Sequence, residues 1–282
     1  MNTIFDKDTW QEIFGSISQN KLRTLITIIG VLWGIFLYIV LSGIAKGVDN
    51  GFEQRFERIS SNSLFVWTQN TSIPYSGFKI GRNWNIKLSD VETLKKEIPE
   101  IQHIAPRIQK GNFGSQGAYI SNGTRSGTYN IYGDYPILKV VSQKDIYEGG
   151  RFINELDIRE ERKVCVIGER TQKELFKDEE NPIGQFININ GIYFKVIGIH
   201  KFFDQGGGSF DDDGDIHVPF STFKRLYNTG DAVGFLLVAG YDDIDIVDVE
   251  DKVKIKLKEI HKVHPEDNRA IGSFNLGSFF TR

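Results

Sequence analysis

From Leu25 to Ala45 the chain reads LITIIGVLWGIFLYIVLSGIA, 21 residues without an Asp, Glu, Lys, Arg or His. As a helix this run rises roughly 30 Å, about the hydrocarbon thickness of a bilayer. A buried helix of a soluble core and a cleavable signal peptide are the alternatives. Gly43 and Ala45 form a small-x-small pair of the kind a signal peptidase cuts, but the apolar stretch is long and Asp6, Asp8 and Glu12 precede it. The expectation is an uncleaved membrane-spanning helix over residues 25–45. Leu25, Gly30, Trp33, Gly34, Tyr38 and Ala45 lie along it, with membrane lipid as its partner.

Charge beside the span does not settle its direction. Lys21 and Arg23 precede it, while Lys46, Arg55 and Arg58 come after it. A short N-terminal side and a large, Gly-rich, charged remainder fit an anchor that exports its C-terminal part. Before the span, Trp10, Ile13, Phe14 and Ile17 recur at helical spacing. That stripe, with Trp10 and Phe14 at the interface, reads as an amphipathic helix on the membrane face within residues 1–24; packing against protein is the other reading. Beyond the span, Val48, Phe52, Phe56 and Ile59 continue the helical period, predicting a stalk over 46–60 that ends at Ser60, Ser61 and Asn62. Gly47 and Gly51 weaken that helix.

The exported part reads as α+β. SLFVWT (63–68) predicts a strand, and LSDVETLKKEIPEI a helix with Ser89 as N-cap, Glu92 completing a capping box and Pro99 ending it. IQHIAPRIQ is the next strand. Near the other end come the strand VGFLLVAGY, a helix striped by Val249, Val253, Leu257 and Ile260, and the strand RAIGSFNL. These two β-α-β units, 61–112 and 231–276, can pair as one split β-α-β layer. Residues 113–230 between them read as a β-rich insertion with one short helix, TQKELF, and a hairpin at Asn190-Gly191. Residues 277–282 are left as a tail.

Chemistry is hard to find. With 34 Lys and Arg against 37 Asp and Glu, the net charge of −3 excludes an electrostatic nucleic-acid binder. Cys165 is the only cysteine, so no intrachain disulfide forms. Its apolar surroundings in VCVIG predict a buried small hydrophobe rather than a nucleophile. His261 and His264 near Glu266 and Asp267 lie at a helix end before Pro265 and read as a solvated terminus. His103, His200 and His217 read as isolated structural residues. Aligning Gly214 of Asp211-Asp212-Asp213-Gly214-Asp215 with the sixth position of a calcium loop puts Phe220 where the bidentate Glu belongs, so an exposed acidic turn is expected, with a weak ion site as the other reading. Gly206-Gly207-Gly208 lacks a following Gly-Lys-Ser/Thr, and no Walker A sequence occurs. No catalytic residue, cofactor or metal is implied.

Asn20-Lys21-Leu22-Arg23-Thr24-Leu25-Ile26-Thr27-Ile28-Ile29-Gly30-Val31 resembles the start of the first transmembrane helix of MacB/FtsX-type ABC transporter permeases. Further pieces fall in that family's order: Glu148-Gly149-Gly150-Arg151-Phe152 with Asp157, Val166-Ile167-Gly168, Leu175-Phe176, Asn181-Pro182-Ile183-Gly184-Gln185, Phe194-Lys195-Val196-Ile197-Gly198 and Val218-Pro219. The resemblance implies a bacterial inner-membrane protein with one span in this chain. It also implies a periplasmic domain made of a porter-like split β-α-β layer with an inserted β-rich subdomain. It further implies a non-enzymatic permease part that works in efflux with an ABC ATPase subunit, a second permease copy or homologue, and a periplasmic adaptor. The family carries three more transmembrane helices after this domain, so a chain stopping at Arg282 reads as an N-terminal portion. A single-pass anchored binding or scaffold module is the alternative.

Overall fold

Helix α1, Lys21–Phe56, is 36 residues long in the computed structural model, which describes residues 21–56, 62–111, 117–142, 144–177, 180–201, 212–241 and 243–275. It already includes the four residues before the expected span, Lys21 to Thr24. It then passes Gly47 and Gly51 without a break, overriding their low propensity. The amphipathic stripe of residues 1–20, Ile59 and the expected stalk end at Ser60 lie outside the described residues.

After α1 come β1 (Ser63–Thr68), β2 (Ile86–Lys87), α2 (Leu88–Glu97) and β3 (Ile101–Lys110). Strands β4 (Ala118–Asn122), β5 (Arg125–Tyr129) and β6 (Ile131–Asp134) are next, then short helices α3 (Leu138–Val141) and α4 (Glu155–Arg159). They lead to β7 (Val164–Gly168), α5 (Glu169–Leu175), β8 (Phe186–Ile189), β9 (Ile192–His200), β10 (Ile216–Pro219) and α6 (Phe220–Tyr227). The described chain finishes with β11 (Ala232–Val233), β12 (Phe235–Gly240), α7 (Ile246–Ile260) and β13 (Ile271–Asn275).

Eleven of these strands form one mixed sheet in the order β13-β1-β12-β3-β6-β10-β7-β9-β8-β4-β5, and β2 pairs with β11 apart from it. Strand β3 belongs to both ends: its first part lies antiparallel to β12 and its last residues pair with β6, Ile108 facing Gly133. The sequence makes the middle strands hydrophobic on both faces. Leu64, Val66, Leu236 and Val238 point to the core that holds Leu94 of α2 and Val249, Val253 and Leu257 of α7. Phe65, Phe235, Leu237 and Ala239 point the other way, against Leu138 and Val141 of α3. A strand covered on both sides requires such continuous apolar runs.

Several local expectations need correction. Helix α2 starts at Leu88, and Asp90, rather than Ser89 and Glu92, satisfies its start by accepting from the Lys87 N–H at 2.8 Å. The middle region holds α3, α4 and α6 besides α5. Helix α6 is hidden in the sequence because Phe220 extends the β-like run IHVP, although Phe220 and Phe223 bury one helical face and Asn228 ends it in the left-handed conformation. On α7, Ile260 is exposed and ends the apolar stripe one turn early. The expected hairpin is present: Asn190 (φ 48°) and Gly191 (φ 89°) make the two-residue turn between β8 and β9.

Candidate functional site

Leu25, Gly30, Trp33, Gly34, Tyr38 and Ala45 all lie on α1 with exposed surfaces. Trp33 is 61% exposed and Tyr38 72%, with Trp33 leaning on Phe36 at 5.6 Å between ring centres. Nothing approaches within 4 Å of where a Cβ would stand on Gly30 or Gly34. A helix so apolar and so uncovered has the surface of a lipid-embedded span. Among the described residues it is the one helix long and apolar enough to cross a membrane, over Lys21–Gly47. Val48, Phe52 and Phe56 fall in the turns that continue it. Trp10, Phe14 and Ile59 are outside the described residues.

In the sheet, the least expected feature is a chain of buried polar groups. Arg107 on β3 reaches Asp134 on β6 through Nε–Oδ1 at 2.7 Å and Nη2–Oδ2 at 3.3 Å, with both side chains at or below 1% exposure. The guanidinium also lies over the Tyr132 ring at 4.4 Å. His217 on β10 places Nδ1 2.6 Å from Asp134 Oδ2, and its ring meets His200 of β9 edge-on at 4.9 Å. His200 Nε2 in turn contacts the Asp215 carbonyl at 2.9 Å. Burial alone would raise the Asp134 pKa, but Arg107 and His217 overcome it and hold the carboxyl below its ordinary value. His200 and His217 are therefore not isolated, as their sequence separation suggested. Pairing β9 and β10 on either side of β7 brings them together.

The acidic turn is also a joint. Arg170 of α5 binds Asp213 at 2.7 Å and Asp212 at 3.1 Å, and Thr171 donates to the Gly214 carbonyl at 2.7 Å. Asp215 is buried rather than exposed, accepting from Asn130 Nδ2 and the Asp212 N–H. No group of three acidic, His or Cys side chains among the described residues is arranged to hold a metal ion. Cys165 is fully buried, and burial pushes its thiol pKa far up.

Two clefts flank the C-terminal end of α7. One, of about 310 Å³, is lined by Arg82, Trp84, Lys87, Asp231 and His261; the other, of about 400 Å³, by Tyr75, Ile255, Lys258, Lys262 and Pro265. His261 is no solvated terminus. Its Nε2 sits 2.6 Å from Asp90 Oδ2, its ring packs on Trp84, and its carbonyl accepts from Arg82. Asp267 ties the loop after β1 to the segment after α7, accepting from Ser72 N and Oγ at 2.6 Å and from Ile73 N at 3.0 Å.

The resemblance-bearing pieces are packing devices. Gly198 brings β9 so near Arg151 that a Cβ would lie 2.4 Å from the Arg151 carbonyl oxygen, and Gly150 likewise faces the Gly198 Cα. Arg151 then binds buried Asp157 at 2.5 Å, and Asp157 and Asn154 cap α4 reciprocally. These contacts brace one element against the next and let them move together.

Residues 24–255 match the family model described as MacB-like periplasmic core domain. A pyoverdine export ATP-binding/permease protein, PvdT, of Pseudomonas putida is 27% identical over 86% of this chain. A macrolide export ATP-binding/permease protein, MacB, of Aggregatibacter actinomycetemcomitans is 27% identical over 91%. The chain spans only 35% and 39% of those two relatives. The crystal structure of the periplasmic region of MacB from Actinobacillus actinomycetemcomitans superposes with a TM-score of 0.62 at 24% identity, covering 81% of this chain and 95% of that one. That likeness shows the fold of the α+β domain with its mixed sheet, which follows the membrane helix in the chain. The chain is anchored in the inner membrane by α1 with its large domain in the periplasm. It belongs to the MacB-like periplasmic core domain family, as a permease-type domain homologous to ABC-transporter permease components.

Proposed function

We propose that this chain is the N-terminal portion of a MacB/FtsX-type permease that couples ATP hydrolysis by a partner subunit to export, or extraction of substrate, on the periplasmic side. The supporting observation is α1 itself, one helix running from Lys21 through the span and on to Phe56. A continuous helix delivers displacement along its axis, whereas a flexible linker dissipates it. Residues 46–60 then act as a stiff stalk, with Val48, Phe52, Phe56 and Ile59 as its apolar stripe. The relatives' names speak of ATP-binding and permease functions in one protein. In this reading an ABC ATPase subunit supplies hydrolysis, and the 282 residues of the chain carry no Walker A sequence.

Within the domain, 61–112 and 231–276 form the porter-like layer and 113–230 the inserted subdomain. The order β13-β1-β12-β3, with α2 and α7 as the connecting helices, supports a split β-α-β reading. The insertion extends the same sheet through β6 rather than standing apart from it. A second permease copy or homologue and a periplasmic adaptor complete the assembly. Affinity purification from native membranes tests the reading: an ABC ATPase subunit should be recovered with the chain. Its absence under conditions that retain other inner-membrane complexes would refute the transport reading and leave an anchored scaffold.

A further inference from the structure

In chain order β1 is the first strand after α1, so a load carried along the chain would enter the domain there, and β1 lies between β12 and β13 with its first residues at one end of the layer. Leu64 of β1 faces Asn275 of β13, so the start of β1 and the C-terminal side of β13 lie side by side. Hydrogen bonds of an antiparallel pair run perpendicular to the strands. Tension applied across that shared end therefore falls on the outermost β1–β13 bonds first, then on the next, and would peel the strands apart one bond at a time.

Side chains guard that end. Asn62 donates its amide N–H groups to the carbonyls of Tyr241 at 2.5 Å and Ile244 at 2.8 Å, and its own carbonyl accepts from the Gly240 N–H at 3.0 Å. These three bonds fasten the residue just before β1 to the turn that leads into α7. Asp245 caps α7 directly afterwards, accepting from the Val247 N–H at 2.9 Å. One turn on, Glu250 of α7 accepts from Ser273 Oγ at 2.5 Å and Asn275 Nδ2 at 3.4 Å, both on β13, while Lys254 holds the carboxylate from the same helix at 2.5 Å. Both strands that carry load are thus tied to one helix or its lead-in turn. That helix is itself fixed to the sheet by buried Val249, Val253 and Leu257.

We propose that Asn62 and Glu250 are mechanical rivets that pass displacement of the membrane helix to α7, so that β1, β13 and α7 move as one body instead of peeling. This deepens the transport reading and rests on it only for the source of the load. The residues are positioning residues, and a structural hydrogen bond elsewhere supplies the control. Asn122 Nδ2 donates to the Leu175 carbonyl at 3.2 Å, a bond of the same kind on β4, far along the sheet.

The test is constant-force unfolding of the full chain in lipid nanodiscs, with one handle on Lys46→Cys and the other after Arg282. Cys165 is buried and does not compete for the handle. Asn62→Ala and Glu250→Ala should each raise the rate of the first rupture about tenfold, the equivalent of one net hydrogen bond. Asn122→Ala should lower the thermal midpoint to a similar degree yet leave the first rupture unchanged. Asn62→Ser, which keeps a shorter donor, should fall between wild type and Asn62→Ala and serves if the alanine variant does not fold. First-rupture rates in the Asn62 and Glu250 variants that match wild type, or that match Asn122→Ala, would overturn the proposal. The measurement needs no ATPase: rivets found in a chain that recovers no ATPase subunit would sink the transport reading and leave the joint standing.

Discussion

Removing one partner of the Arg107–Asp134 pair should destabilise the domain far more than removing both. Each side chain is at or below 1% exposure, and the pair is doubly hydrogen-bonded. Breaking a buried pair strands an uncompensated charge and costs about 3–5 kcal/mol, while replacing both members is close to neutral. Asp134→Asn leaves the guanidinium unneutralised but still presents an amide oxygen to His217, so it isolates the charge. Arg107→Met keeps much of the side-chain volume under Tyr132 and Phe235 and strands the carboxylate. Each single variant is expected to lose about 3–5 kcal/mol and the double less than either, so that the coupling exceeds either single loss. Urea unfolding of the chain in detergent, read by the fluorescence of Trp67 and Trp84, measures the cycle. Against an ordinary total stability of about 5–15 kcal/mol, the losses shift the midpoint plainly. A single-variant loss under about 1 kcal/mol, or a coupling near zero, would refute the reasoning.

The same carboxylate sets an acid limb. Burial opposes ionisation of Asp134 and Asp90, yet Arg107 and His217 in one case and His261 in the other keep their folded pKa values below the ordinary one. A depressed folded pKa stabilises above the unfolded value of about 3.9 and ceases to do so as pH falls through the folded one. Stability should therefore drop below about pH 4, and Asp134→Asn should flatten that slope in acid urea titrations. Cys165, its thiol pushed up by burial, should resist a thiol reagent at about pH 8 until the domain is unfolded; labelling of the native chain would contradict that burial. A reporter active only in the periplasm should work when fused after Arg282 and stay silent when fused before Trp10, and the reverse pattern would overturn the topology.

The architecture was legible where one element imposed one period. The 21-residue run Leu25–Ala45 named its helix, and the SLFVWT strand and the Asn190-Gly191 turn sat where they were expected. Failures cluster where a contact distant in sequence decided the outcome. Ser89 looked like a cap, but Asp90 takes the role with a carboxylate it shares with His261, 171 residues away. Helix α6 was obscured by aromatic residues that suit a strand equally well. Nothing local joins His200 to His217 or Arg107 to Asp134; only the strand order does. Asn62 reads as turn chemistry in the sequence, and its partners Tyr241 and Ile244 lie across the layer.

The central claim is that α1 drives the domain as a stiff lever. In the complete permease assembled with its ATPase, spin labels on exposed Lys95 of two copies report the separation of their domains by pulsed electron–electron resonance. Addition of ATP should change that distance. Gln54→Pro removes a backbone donor inside α1 and clashes with the carbonyl one turn back, at about 3 kcal/mol or more. It should abolish the change while ATP hydrolysis and membrane insertion persist. An unchanged ATP-dependent distance shift in a well-expressed Gln54→Pro variant would contradict the lever.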